Sequence, residues 1–228
     1  MNDIFQRIAL CVEIGKVDKN SPFPPEMKGK QGTNELVSEA LEKGFSPQEV
    51  LTKGLIIGMQ RVGDKFRKNE IYLPDVLIAA KAMTVGMEHL KKFFSSGEIK
   101  HQGKIIIGTV AGDLHDIGKK IVGMFFEGGG WEVVDFGVDV TTEKFIQGIK
   151  EHKPQAVGLS ALLTTTMLNM KDITRGIKSE HPEVKVLVGG APVTMDFARK
   201  IGADFYSPDP QGALEYLENS LLDWKSRK

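Results

Sequence analysis

The sequence predicts an N-terminal bundle of helices followed by a doubly wound α/β domain with a five-stranded parallel sheet. Residues 1 to about 96 carry apolar residues at helical spacing and almost no strand-like run. From Lys104 onward, short apolar runs alternate with helical segments. Such alternation is typical of a parallel sheet covered on both faces, a Rossmann-like (flavodoxin-like) arrangement. The predicted domains are 1–96 and 104–228, joined by a polar, glycine-bearing linker at 97–103.

Four helices are predicted in the first domain. Ile4, Ile8 and Val12 share one helical face, and Ser46-Pro47 combines an N-cap residue with proline at the first helical position. The predicted helices span about 3–16, 33–43, 47–66 and 73–94. Their apolar faces predict a small helical bundle.

Five strand-like runs alternate with five helical segments in the second domain. The strands are predicted at 105–107, 132–134, 156–159, 184–188 and 203–206, and the helices at about 117–127, 142–151, 165–180, 194–201 and 210–224. Parallel sheets of this kind bind ligands in the crevice beyond the carboxyl ends of their strands. Functional residues are therefore expected in the loops that follow the strands.

Composition excludes several classes of function. The 30 basic residues balance the 30 acidic ones, so no nucleic-acid or anionic-membrane surface is indicated. Cys11 is the only cysteine, which excludes an intramolecular disulfide and a cysteine metal cluster. No apolar stretch approaches the roughly 20 residues that span a bilayer, and no secretory signal is recognisable. A cytoplasmic protein is expected.

The loop after the first strand carries the strongest candidate for chemistry. Residues 112–118 are Gly-Asp-Leu-His-Asp-Ile-Gly, with carboxylates where a dinucleotide-binding loop needs glycine. Imidazole is a common metal ligand that usually gives its other N–H to a carboxylate, a role for which Asp113 is the candidate. One histidine and no cysteine cannot form a closed zinc site, so a metal at His115 needs further ligands, such as those of a macrocycle. Taken alone, a histidine in a loop is more often a surface or hydrogen-bonded residue than a metal ligand.

Three pieces of sequence together resemble the cobalamin-binding motif of the corrinoid methyl-carrier proteins. Asp-x-His-x-x-Gly at 113–118 is followed after 41 residues by Ser-x-Leu at 160–162, and after a further 26 by Gly-Gly at 189–190. Proteins of this family serve anaerobic methyltransferase systems of one-carbon metabolism, and cobalamin-dependent methionine synthase contains a similar module. The resemblance covers nearly the whole chain, because the segment at about 47–94 is similar to the family's helical cap.

The resemblance implies a set of cobalamin-binding residues. His115 would be the lower axial ligand of cobalt in place of the cofactor's displaced base, and the only metal ligand from the protein. Asp113 would hydrogen-bond His115, and Thr166 would continue that chain with its hydroxyl, where methionine synthase has serine. The other implied residues of this domain lie around the cofactor and the cleft for its nucleotide tail: Asp116, Gly118, Ser160, Leu162, Thr164, Gly189, Gly190 and Tyr206.

The resemblance to the family's helical cap implies an apolar lid. Phe66, Leu73 and Val76 would lie over the upper face of the cobalt and exclude the solvent that consumes reduced cobalt.

The sequence departs from the family at residues 18–33, which look like an insertion with three prolines at 22–25, and at Lys120, where the family commonly has asparagine.

The function that the resemblance implies is methyl transport, with no catalytic residue on the chain itself. A substrate-specific methyltransferase would load the cobalamin to methylcobalamin, and a second methyltransferase would pass the methyl group to a thiol cofactor, tetrahydrofolate or a tetrahydropterin. A reductive activase is a further implied partner. Methanol, methylamines, glycine betaine and methoxylated aromatics all remain open as methyl donors.

Three other classes of protein are weighed against this one. The cobalamin-binding subunit of an adenosylcobalamin-dependent mutase would lack the cap pattern at 66–76. A cobalamin-dependent sensor or regulator would need a helix-turn-helix module and a basic surface, neither of which is recognisable. A response-regulator-like domain would need an acidic cluster and a lysine after a late strand, which residues 188–190 do not supply.

Overall fold

A helical unit and an α/β unit make up the chain in the computed structural model, which describes residues 4–225 and the side chains of 4–220. The first unit comprises Met1–His101 with Gly128–Gly130, and the second Gln102–Glu127 with Trp131–Lys228. The domain limits expected from the sequence, 1–96 and 104–228, stay a prediction. No helix in the described part of the chain is long and apolar enough to cross a membrane.

The helical unit is built around buried apolar faces such as that of Ile8 and Val12. Its α-helices are α1 (Ile4–Glu13), α2 (Thr33–Glu42), α3 (Pro47–Glu49), α4 (Ile56–Arg67) and α5 (Leu73–Ser95), with a 3-10 turn at Pro25–Met27. The single helix predicted at 47–66 contains a π-helical turn, Val50–Leu55, between α3 and α4. Side-chain periodicity did not indicate that turn. A Cβ at Gly58 would come within 2.7 Å of the Ala9 carbonyl oxygen, so glycine allows α4 to approach α1.

The α/β unit has five parallel strands in the order β2-β1-β3-β4-β5. The strands are β1 (Lys104–Thr109), β2 (Glu132–Asp135), β3 (Ala156–Ser160), β4 (Lys185–Gly189) and β5 (Phe205–Tyr206). The helices are α6 (Ile117–Gly128), α7 (Thr142–His152), α8 (Thr164–Met167), α9 (Asn169–Glu180), α10 (Met195–Ile201) and α11 (Pro210–Lys225). The predicted doubly wound α/β class is confirmed.

Alternate side chains of β1 enter two separate cores, as expected for a sheet covered on both faces. Ile106 packs in one core with Phe145 of α7 and Ile173 of α9. Ile105 and Ile107 pack in the other, which includes residues of α6 and α11. The helix predicted at 165–180 is divided at Leu168 into α8 and α9, a break that separates the turn carrying Thr166 from the longer helix.

Candidate functional site

The carboxyl ends of three neighbouring strands meet at one edge of the sheet. Thr109, the last residue of β1, is in register with Ser160 of β3, which is in register with Gly189 of β4. The strand order reverses between β1 and β3, and ligands of open α/β sheets bind at such a switch point. The loops that carry the three predicted motif pieces are therefore adjacent.

Asp113 is the centre of the hydrogen bonding at this edge, and its side chain is fully buried. Its Oδ1 accepts from the backbone N–H of His115 at 3.1 Å and lies 2.7 Å from Nδ1 of the same residue. Its Oδ2 accepts from the N–H groups of Leu162 and Leu163 at 2.8 and 3.3 Å. The Thr166 hydroxyl donates to the same oxygen at 2.6 Å. One carboxylate thus ties the loop after β1 to the loop and turn after β3.

These bonds determine the charge of Asp113. Burial alone would raise the pKa of this carboxyl, but hydrogen bonds from Thr166, the Leu162 N–H and His115 outweigh it and hold the pKa well below its usual range. A carboxylate accepts only, so a neutral His115 ring has its proton on Nδ1 and its lone pair on Nε2. The His115 side chain is 52% exposed, which leaves this ring accessible to a ligand.

Three residues outside the predicted set of cobalamin-binding residues also hold the loop after β1. The Thr109 hydroxyl donates to the His115 carbonyl at 2.8 Å, and the Asn169 amide donates to the Ala111 carbonyl at the same distance. Asp139 accepts from a backbone N–H of the loop. The bonds of Asn169 and Asp139 cross 58 and 27 positions of sequence, and both residues are ordinary loop or helix-start polar types. Asp139 lies in the loop after β2, and that position was the sequence signal for it, whereas Asn169 begins α9 and had no such signal.

Four further predicted residues lie near this edge with different local roles. Asp116 directly precedes α6 and forms an ion pair with Lys120 in the first turn of that helix, so its carboxylate already has a cationic partner. Gly118 is in the first turn of α6 and has open space where a Cβ would be. Ser160 is half-buried at the end of β3, and Thr164 is exposed at the start of α8.

The two glycines after β4 differ in what they require. Gly190 has a φ of +124°, and a Cβ there would overlap the carbonyl oxygen of Ala161. Glycine at this position is therefore needed for the loops after β3 and β4 to pack together. Gly189 has nothing within 4 Å of a Cβ position, so its surface is open. Tyr206, half-buried in β5, is in register with Val188 of β4.

Apolar side chains are exposed beside His115. Leu114 and Ile117 are 73% and 68% exposed, and Leu162 and Leu163 are also exposed. Large exposed apolar groups that cluster in this way indicate a binding surface. The described residues contain no group of three or more His, Cys, Asp or Glu side chains that could hold a metal ion. A metal at His115 would therefore bring its other ligands with it.

The three predicted lid residues are in the helical unit. Phe66 is half-buried near the end of α4, Leu73 is half-buried at the first position of α5, and Val76 is buried in the same turn of α5. Their placement above a ligand stays a prediction.

Comparison with known proteins gives consistent results. Two family models, each described as a B12 binding domain, match residues 103–215 and 30–91. The chain is 46% identical over 192 residues to a trimethylamine corrinoid protein of Methanosarcina acetivorans, covering 82% of this chain and 89% of that protein. A dimethylamine corrinoid protein of the same organism is 42% identical over 193 residues, covering 82% of this chain and 91% of that one.

Two solved structures are similar along almost the whole chain. The methanol:cobalamin methyltransferase complex of Methanosarcina barkeri matches with a TM-score of 0.80 and 26% identity, covering 97% of this chain and 80% of that chain. A cobalamin-binding protein from Desulfitobacterium hafniense matches with a TM-score of 0.74 and 29% identity, covering 96% and 98%.

Proposed function

The chain belongs to the family of corrinoid methyl-carrier proteins, and on that premise we propose how it holds cobalamin and whose methyl group it carries. It binds cobalamin and shuttles a methyl group between methyltransferases, one of which is its partner. Cobalamin, when bound, supplies the cobalt that carries the methyl group and the corrin nitrogens that surround it.

In this proposal His115 would bind the cobalt of cobalamin through Nε2. The observation that carries it is the 2.7 Å contact between His115 Nδ1 and the buried, ionised Asp113. A metal-bound histidine commonly gives its second N–H to such a carboxylate, which fixes the ring orientation and the tautomer. Thr166 donates to the other oxygen of Asp113 and thereby holds the carboxylate in place.

The surroundings of His115 fit the cofactor. The exposed side chains of Leu114, Ile117 and Leu162 offer an apolar surface to the flat corrin ring. Open backbone at Gly118 and Gly189 leaves room for a large ligand. The remaining residues that we assign to the cofactor and its nucleotide tail are Asp116, Ser160, Thr164, Gly190 and Tyr206.

Phe66, Leu73 and Val76 of the helical unit would form an apolar cover for bound cobalamin. Phe66 and Leu73 are partly exposed and are the two expected to contact the ring, whereas buried Val76 would support them from within the helical unit. An apolar cover would exclude the water and protons that react with reduced cobalt.

A methylamine is the proposed methyl donor. The relatives at 46% and 42% identity are named for trimethylamine and dimethylamine, and these similarities support the same class of donor here. A second methyltransferase with a thiol or tetrahydropterin acceptor, and a reductive activase, complete the proposed system. The cytoplasmic location also stays a proposal.

The test is a reconstituted methyl transfer. The full chain is loaded with hydroxocobalamin, reduced, and mixed with a trimethylamine- or dimethylamine-specific methyltransferase and its amine, while the absorption change on methylation is recorded. A parallel reaction uses a methanol-specific methyltransferase with methanol. We expect methylation with an amine at a rate at least about tenfold above that with methanol. Methylation with methanol alone would contradict the donor, and failure to bind cobalamin would contradict the entire function.

A further inference from the structure

Asp139 contacts the loop that carries Asp113 and His115 from the neighbouring strand end. It lies between β2 and α7. Its Oδ1 accepts a hydrogen bond from the N–H of Gly112 at 2.7 Å. Its own N–H donates to the carbonyl oxygen of Asp113 at 3.1 Å. Asp139 therefore holds the backbone on both sides of the Asp113 α-carbon.

The contact continues the pairing of β1 with β2 beyond the end of the sheet. The Thr109 N–H donates to the Gly137 carbonyl at 3.0 Å, and the Val140 N–H donates to the Thr109 carbonyl at 2.9 Å. Val110 and Val140 form an isolated parallel bridge. The loop after β2 is thus bonded to the loop after β1 at successive positions, and Asp139 is the position at which a side chain takes part.

The backbone of Asp139 has an unusual conformation. Its φ of +54° lies in the left-handed region, which is uncommon for residues other than glycine and is best tolerated by asparagine and aspartate. Gly112, its hydrogen-bond partner, has a φ of +79°. Conformations of this kind persist where surrounding structure holds them, and they cluster at binding and active sites.

Asp139 contributes little to the core of the α/β unit. It is exposed, and it forms no ion pair with any residue that the structure describes. Its recorded bonds are to the loop of Gly112 and Asp113. Removal of its side chain should therefore affect the geometry of that loop more than the stability of the fold.

We propose that Asp139 is a positioning residue for the cobalt ligand, an inference that depends on the proposed ligation by His115. Asp139 fixes the backbone of Asp113, and the Asp113 carboxylate in turn fixes the His115 ring. Without the Gly112 contact the loop samples more conformations, and fewer molecules hold His115 in the orientation required to coordinate cobalt.

The test measures axial ligation rather than activity. The full chain, produced with ¹⁵N-labelled histidine, is reconstituted with hydroxocobalamin and reduced to the cobalt(II) state. The ratio of histidine-ligated cobalt to all other cobalt is taken from the two-line ¹⁵N hyperfine splitting in its electron paramagnetic resonance spectrum, which the ¹⁴N base of the cofactor does not give. We expect Asp139→Ala to lower that ratio about tenfold, because the side-chain oxygen that accepts from the Gly112 N–H is lost. Asp139→Asn should stay within about twofold of wild type, because the amide oxygen accepts the same bond and asparagine tolerates the left-handed conformation.

Two further variants separate the possible causes. Asp139→Gly removes the acceptor and relieves the backbone conformation, so a loss equal to that of Asp139→Ala assigns the effect to the side-chain bond. Thr141→Ala is the matched control in the same loop. It removes the oxygen that accepts from the Lys144 N–H at the start of α7 and should leave the ratio unchanged.

The outcomes distinguish this inference from the one on which it depends. A wild-type protein without a histidine nitrogen on cobalt would overturn the ligation itself. If wild type shows that nitrogen and both Asp139→Ala and Asp139→Gly keep the wild-type ratio, the positioning role is wrong. An Asp139→Asn variant as impaired as Asp139→Ala would also overturn it.

Discussion

Removal of the Thr166 hydroxyl tests the hydrogen-bonded chain behind His115. Thr166→Val keeps the shape of the side chain and deletes the donor that lies 2.6 Å from Asp113 Oδ2. Hydrogen bonds to charged groups contribute about 1.5–3 kcal/mol to stability. Asp113 keeps the N–H groups of Leu162, Leu163 and His115, so the carboxylate is not left without partners. We therefore expect a loss in the lower half of that range, about 2 kcal/mol.

Thr174 offers a matched control. It is buried like Thr166, but its hydroxyl has no hydrogen-bond partner among the described residues. Thr174→Val should change the free energy of unfolding by less than about 0.5 kcal/mol or should increase it, because an unsatisfied buried hydroxyl is removed. Thr166→Ser, which keeps the donor, should lose less than Thr166→Val.

The assay is urea unfolding of the cofactor-free chain followed by tryptophan fluorescence. Both tryptophans, Trp131 and Trp224, lie in the α/β unit, so the signal reports that unit. With a urea dependence of about 2 kcal/mol per molar, Thr166→Val should lower the midpoint by about 1 M. Equal midpoints for Thr166→Val and Thr174→Val would refute the hydrogen bond to Asp113 as a source of stability.

Three further outcomes follow from the same structure. The folded pKa of Asp113 is below its unfolded value of about 3.9. The stability that its carboxylate supplies is therefore complete above about pH 5 and is lost as the pH falls toward the folded pKa. Asp113→Asn should flatten the dependence of the urea midpoint on pH between 5 and 2. Gly190→Ala should destabilise the α/β unit by about 3 kcal/mol or more. Gly189→Ala should leave the urea midpoint unchanged and weaken cobalamin binding in a titration. Equal urea midpoints for the two variants would contradict the tight contact of Gly190. Burial raises the pKa of Cys11 from 9.0 to about 11. Iodoacetamide at pH 8 should therefore alkylate the native chain about a hundredfold more slowly than the unfolded chain, because the thiolate is the reactive form. Equal alkylation rates would contradict that burial.

The sequence predicted the fold class because the physics of strands and helices is local. Strand-like runs such as 105–107 and 184–188 are mostly apolar, as buried parallel strands are, and the helices between them have one apolar face. Periodicity did not reveal the π-helical turn Val50–Leu55 or the break at Leu168. Both depend on how the backbone packs in the folded chain, which the periodicity of side chains does not report.

The residues of the candidate site that belong to the cobalamin-binding motif could be predicted from the sequence. Asp113, His115 and Thr166 are hydrogen-bonded in the order that the resemblance implied. The structure adds a requirement for Gly190, since the Ala161 carbonyl occupies the space of a side chain there. Asp139 was not predictable as a partner of the loop, because its contact is made between two strand ends and has no pattern within either segment.

The measurement that tests the central claim most directly is the identity of the nitrogen on cobalt. Full-length chain is produced with ¹⁵N-labelled histidine, reconstituted with cobalamin and reduced to cobalt(II), and the hyperfine pattern is compared with that of unlabelled protein. His115→Ala is the test variant, and His152→Ala, at the end of α7, is the control. We predict that labelling changes the three-line nitrogen splitting to two lines in wild type and His152→Ala, and that His115→Ala lacks the histidine splitting. A histidine splitting that survives in His115→Ala, or a wild-type pattern unaffected by labelling, would contradict the assignment.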